Sequence, residues 1–177
     1  MDSLCKRLLL LGLGLPAAVS WTFLVPGHGL NLECLAPAKC KLHFWLAMRR
    51  RIWTADRRLR HGLQSHVMCP LCEQEAETAD HLALGCVFAR EVWHSALARC
   101  GLGQLVPSMD ATLIEWWPAS CAMIPKEQRK GFDSLALLIV WMLWKERNNR
   151  VFQRSAVLAR EHVDGPVTRF SYGNSLV

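Results

Sequence analysis

The stretch Cys69-Pro70-Leu71-Cys72-Glu73-Gln74-Glu75-Ala76-Glu77-Thr78-Ala79-Asp80-His81-Leu82-Ala83-Leu84-Gly85-Cys86 decides how this sequence is read. Its spacing is C-x2-C-x8-H-x4-C. Zinc takes four such donors at tetrahedral corners, with sulfur about 2.3 Å away and imidazole nitrogen about 2.0–2.1 Å away. The C-x-x-C turn offers two thiolates from one tight loop, and His81 with Cys86 offers the closing pair. All four positions are protein side chains, so none stays open for a catalytic water and the expected site is closed and structural. The plainer reading makes these cysteines small buried residues. The tight turn and the Cys/His pair just downstream count against it. In an oxidising compartment the same thiols would pair as disulfides and the metal reading would fail.

His81 and Cys86 lie five residues apart, about 140° around an ideal helix, so one straight helix would not aim both inward. Gly85 offers the break that solves this, and Thr78 is the expected N-cap of the short helix carrying His81. Glu73, Glu75, Glu77 and Asp80 stand within the same stretch, which has no Lys or Arg. Three thiolates around one Zn²⁺ add a further negative charge. The loop itself is therefore a poor surface for phosphate.

Upstream, the balance reverses. Between Lys39 and Met68 there are eight Lys or Arg and one acid, Asp56, in a chain whose net charge is only +6. The basic character is local. If nucleic acid is bound, the expected contacts are Arg49, Arg50, Arg51, Arg57, Arg58 and Arg60, with the metal fixing how that arm is presented. A solvated basic face without a partner is the alternative. Trp45 and Trp53 are of the kind that stacks on bases, although a core role is the expectation for both.

The same region reads as two helices. Pro37 suits a first helical turn, and Cys40 to Met48 is apolar around most of the circumference, which predicts burial on more than one side. Alternation over Lys39–Phe44 leaves a strand reading open. Thr54 is the expected N-cap of the second helix, with Asp56 in its first turn and Gly62 as its stop. Downstream, Phe88, Val92, Trp93, Ala96 and Leu97 form a core-facing stripe. Residues 101–127, with Pro107, Pro118 and Pro125, read as a loop-rich connection. A final helix is expected from about Lys130 to Phe152. Its ten-residue apolar run Leu135–Trp144 is too short to span a membrane.

The first 36 residues show no sustained periodicity, and low order is expected there. Lys6 and Arg7, the run Leu8–Leu15 and Ala18-Val19-Ser20 follow in the order of a secretory signal. The chain has eight cysteines. Cys5, Cys34, Cys40, Cys100 and Cys121 lack ligand spacing. His66, three residues before Cys69, competes as a ligand but reads better as a solvated loop residue. His43, His61 and His94 read as structural or surface residues.

Several separated motifs carry a resemblance. They are Ala36-Pro37-Ala38-Lys39-Cys40-Lys41 leading to Phe44-Trp45-Leu46-Ala47, then Trp53-Thr54-Ala55-Asp56-Arg57, the cysteine turn with Glu77-Thr78-Ala79-Asp80-His81-Leu82, and Cys86 to Trp93. With Trp141-Met142-Leu143-Trp144-Lys145-Glu146-Arg147-Asn148 and Arg150-Val151-Phe152, this order resembles the reverse transcriptase zinc-binding domain of plant non-LTR (LINE-type) retrotransposons. The likeness covers roughly residues 35–152; residues 1–34 do not look like the family's upstream segment. It implies that Cys69, Cys72, His81 and Cys86 are the zinc ligands, and that the domain binds the element's RNA or target DNA. It does not imply catalysis, since no two acidic residues are adjacent and the paired aspartates of a polymerase are missing.

The sequence thus predicts a mainly α fold: a small zinc-stabilised helical domain at 35–152, a loosely ordered leader at 1–34 and a tail at 153–177. The expected function is a non-catalytic Zn²⁺ module that binds RNA or DNA weakly, a remnant of a retrotransposon polyprotein, with no small-molecule substrate and no membrane span. An intracellular location, nuclear or cytoplasmic, is expected unless residues 1–20 act as a signal. The rival readings are a zinc-stabilised protein-interaction scaffold and a secreted disulfide-bonded protein.

Overall fold

Pro37 sets the start of the first helix. It stands at the N-cap with φ −56° and ψ 150°, where a missing N–H costs nothing. The computed structural model describes residues 22–25, 28–31 and 34–153, so most of the expected leader and all but the first residue of the tail lie outside the described residues. Helix α1 (Ala38–Met48) buries Cys40, His43, Phe44, Ala47 and Met48, which settles the helix-or-strand ambiguity over Lys39–Phe44. It ends in a left-handed cap: Arg50 N–H donates to Ala47 O at 2.8 Å and Arg51 N–H to Leu46 O at 2.7 Å. Arg50 takes φ 52° there, a conformation costing a side chain of this kind about 1 kcal/mol. Its guanidinium is held in turn by Asp80 at 2.8 Å.

Helix α2 (Ala55–Arg60) ends as the sequence predicts, with Gly62 at φ 72°. Gly62 N–H reaches Leu59 O and Leu63 N–H reaches Arg58 O, which closes the helix end. Its start is different. Thr54 occupies the N-cap, but its hydroxyl donates to Asp56 Oδ1 at 2.6 Å. The Ala55 N–H is taken by Glu77 Oε2 at 2.9 Å. A carboxylate from the cysteine loop therefore caps this helix.

A π-helical turn, His81–Gly85, leads into α3 (Val87–Arg99), which buries Ala89, Val92, Trp93, Ala96 and Leu97. The predicted stripe is correct apart from Phe88, which is half-buried. Residues 101–127 are not simply a loop. They contain a short 3-10 turn, Gly103–Leu105, and α4 (Leu113–Ala122) with Pro118 inside it. Proline removes one helical N–H, but burial of Leu113 and Trp117 outweighs that loss. Thr112 and Glu115, bonded at 2.6 Å, had the T-x-x-E spacing that marks a helix start.

Helix α5 (Lys126–Asn148) begins four residues before the expected Lys130 and continues as a π turn, Asn149–Gln153. At about 35 Å it is the spine of the fold, with α1, α3, α4 and the π turn at His81 all packed on it. No helix among the described residues is long and apolar enough to cross a membrane. Ahead of α1, strand β1 (Thr22–Val25) pairs antiparallel with β2 (His28–Asn31), Thr22 opposite Asn31 and Val25 opposite His28.

The core is aromatic, and three of its indole N–H groups find acceptors. Phe44 meets Trp117 edge-on at 5.3 Å and Trp93 meets Trp116 at 4.8 Å. The indole N–H groups of Trp93, Trp116 and Trp117 donate to Ala83 O, Leu105 O and Asp133 Oδ1. Trp93 is fully buried, so its truncation to alanine would cost about 3–5 kcal/mol. Its bond to Ala83 O also fixes the π turn that carries His81.

Candidate metal centre

The four sequence-predicted ligands come together. One donor atom from each of Cys69, Cys72, His81 and Cys86 lies within 4.8 Å of all the others. Cys69 Sγ and Cys86 Sγ are 3.9 Å apart, and Cys72 Sγ and His81 Nε2 are 3.3 Å apart. A tetrahedral ion with zinc-like bond lengths needs about 3.8 Å between sulfurs and about 3.5 Å between sulfur and nitrogen. The donor set fits. Cys69 and Cys86 are fully buried, while Cys72 and His81 stand at the rim.

Each donor is positioned by backbone. Met68 and Ala76 form an antiparallel bridge. Cys69 N–H donates to Glu75 O at 2.7 Å, and Glu73 N–H returns to Cys69 O at 2.8 Å. This curls the C-x-x-C turn, with Glu73 in the left-handed region at φ 56°. On the other side, Thr78 Oγ1 accepts the His81 N–H at 3.1 Å, as an N-cap should. The five-residue spacing of His81 and Cys86 is met by the π turn, in which Cys86 N–H reaches back to His81 O at 2.7 Å. The extra residue in that turn brings both side chains to one side, so a widened turn does the work expected of a break. Gly85 serves it by close approach: a Cβ there would lie 2.6 Å from Met109 O.

The electrostatics draw positive charge to the centre of the cluster. Hydrogen bonding with Cys69 raises the His81 imidazole to about 9 against its burial, helped by Cys72. The bond with Cys86, together with burial, pushes the Cys69 thiol up to about 12, and the same bond holds Cys86 below its ordinary value. Glu75 Oε2 lies 3.3 Å from His81 Nδ1. A carboxylate on the outer ring nitrogen fixes the tautomer that presents Nε2 to a metal.

Two further residues hold the site, and spacing alone did not reveal them. Arg147 clamps Glu77 through Nε at 2.6 Å and Nη2 at 3.0 Å. Arg150 Nη1 donates to Leu71 O at 2.9 Å and Pro70 O at 3.3 Å, within the cysteine turn. Arg147 lies at the end of α5 and Arg150 in the π turn that follows it. The one available signal was the i, i+4 pair Glu146–Arg150, which the structure forms at 2.8 Å.

Two of the loop's four acids are neutralised by arginines, Glu77 by Arg147 and Asp80 by Arg50. The arginines of the basic arm differ in their surroundings. Arg60 pairs with Asp56 at 2.7 Å and Arg58 reaches Gln64 O at 3.3 Å. Arg49 lies over Trp45 and Arg57 over Trp53, and Arg51 is exposed. Trp53 is not in the core; it is 48% exposed. His66 is exposed and stands outside the donor set, His61 and His94 are exposed, and His43 is buried. Among the described residues no cysteine is in a disulfide.

Residues 28–93, just over a third of the chain, match the model of a family described as zinc-binding in reverse transcriptase. No curated protein and no solved structure matches the chain. The matched segment contains all four donors, the basic arm and α1 to Trp93, so the Cys₃His cluster lies within a stretch similar to that family.

Proposed function

We propose that this chain is a non-catalytic module organised by one structural Zn²⁺, derived from the reverse transcriptase polyprotein of a plant LINE-type retrotransposon, and that it binds RNA or DNA weakly through its basic arm. The observation carrying this reading is the convergence of four protein donors within 4.8 Å. Four protein ligands leave no position for a reacting water. The ion would join the C-x-x-C turn to the π turn, and through α5 it would fix where Arg49–Arg51 and Arg57–Arg60 stand. Arg51 and Arg57 make no ion pair with a described residue, which supports a role toward phosphate.

The test is metal stoichiometry on the purified full chain. One zinc per chain is expected, lost in Cys72→Ser and in His81→Ala together with helical signal. Binding in such modules contributes on the order of 10 kcal/mol to folding. Zinc retained in either variant would mean that the ligand set is wrong. For the nucleic-acid part, log affinity should fall linearly with log salt. An absence of binding at low salt would favour the protein-interaction reading instead.

A further inference from the structure

Trp53, Leu63 and Phe152 are 48%, 50% and 72% exposed, yet they are not scattered. With Trp144 they line one cleft of about 320 Å³, whose remaining walls include Arg58 and Arg147. Those two arginines also wall a second, more polar cleft of about 510 Å³ that includes Ser65 and His66. One groove thus runs from an aromatic end to a polar, basic end. Arg57 covers Trp53 from 4.9 Å and His61 leans on it at 5.4 Å, tilted by 56°; the residue as a whole stays about half exposed.

We infer that this groove is a binding site for single-stranded nucleic acid, in which an unpaired base stacks against Trp53 and its phosphates follow Arg57, Arg58 and His66. The inference rests on the nucleic-acid reading above and adds a strand type and a contact to it. Charge complementarity selects the occupant. Between Arg49 and Met68 there are six arginines and one acid, and that acid, Asp56, is paired with Arg60. Glu77 at the groove wall is neutralised by Arg147. Concavity selects single strands, because a base face can enter an aromatic cleft only once it has left its duplex stack. Stacking of this kind tolerates any base, so both a ribose and a deoxyribose strand fit.

The experiment uses the zinc-loaded full chain and four labelled probes: a fifteen-nucleotide oligothymidine, the matching oligouridine, the same DNA backbone without bases, and a duplex of equal length. Both base-bearing single strands should bind roughly ten-fold more tightly than the abasic strand, since each stacked base contributes about 1–3 kcal/mol. Trp53→Ala should remove that difference, and Trp53→Phe should restore most of it, while abasic binding stays unchanged in both. The abasic comparison uses wild-type protein, so it decides the matter even where Trp53→Ala disturbs folding. Equal affinity for base-bearing and abasic strands, or for duplex and single strand, overturns the stacking groove and leaves the basic-arm reading standing. No binding of any probe at low salt overturns both.

Discussion

Arg147 and Glu77 form a two-pronged ion pair, 2.6 and 3.0 Å long, with side chains only 4% and 1% exposed. The pair links the end of the long helix α5 to the loop that carries the cysteines. The same carboxylate accepts the Ala55 N–H at 2.9 Å, so it also caps α2. Three elements distant in sequence are thus held by one side chain.

Breaking that pair from one side leaves a buried charge without its partner. Glu77→Leu and Arg147→Met should each destabilise the fold by about 3–5 kcal/mol. The double variant should cost less than the sum of the two. Denaturant titrations on the zinc-loaded single and double variants check this. Strict additivity would show that the two groups are not coupled.

Glu75→Gln should weaken zinc binding roughly ten-fold, the lower end for a carboxylate behind a ligating histidine. The lower end is chosen because Glu75 is 56% exposed and solvent screens the contact. Competition against a calibrated chelator measures the change. At the same fixed excess of zinc, overall stability should fall by about 1.4 kcal/mol, the free-energy equivalent of that ten-fold loss.

Gly85→Ala places a methyl group 2.6 Å from Met109 O. The neighbour is backbone, so the chain must shift, and overpacking of this kind costs about 1–3 kcal/mol. The thermal midpoint should drop, and zinc affinity should fall with it because the π turn aims His81 and Cys86 together. A drop in midpoint with unchanged zinc affinity would separate Gly85 from the metal site.

His43 sits buried between Trp141 and Trp144 at 5.3 and 5.4 Å, its Nε2 without a hydrogen-bond partner among the described residues. Burial lowers its imidazole from 6.5 to about 4. The sign follows from linkage: above about pH 6.5 both states are neutral and nothing is lost. As pH falls from 6.5 towards 4 the unfolded chain takes up the proton first, and stability declines by up to about 3 kcal/mol. His43→Leu should flatten that part of the stability–pH curve relative to wild type. Parallel curves for the two proteins would rule the mechanism out.

Local chemistry was legible wherever a spacing has one physical meaning. The C-x2-C-x8-H-x4-C spacing named four donors that converge, Gly62 marked the end of α2, and Thr78 marked the start of the turn carrying His81. Helix α4 was hidden because Pro118 argues against a helix locally, while the burial of Trp117 that overrides it is a tertiary fact. The exposure of Trp53 was hidden for the converse reason: an aromatic residue beside apolar neighbours reads as core until the packing leaves it outside.

The sequence by itself thus determined the donor set, the mainly helical class and the concentration of net positive charge in one arm, because each follows from residue type and near-neighbour spacing. Only the tertiary structure decided how those parts act together. It matched Glu77 with an arginine seventy residues away and set Arg50 against Asp80. It also turned a predicted helix break at Gly85 into a π turn pressed on Met109. Pairings of that kind are chosen by which surfaces meet when the core closes, and no local pattern encodes them.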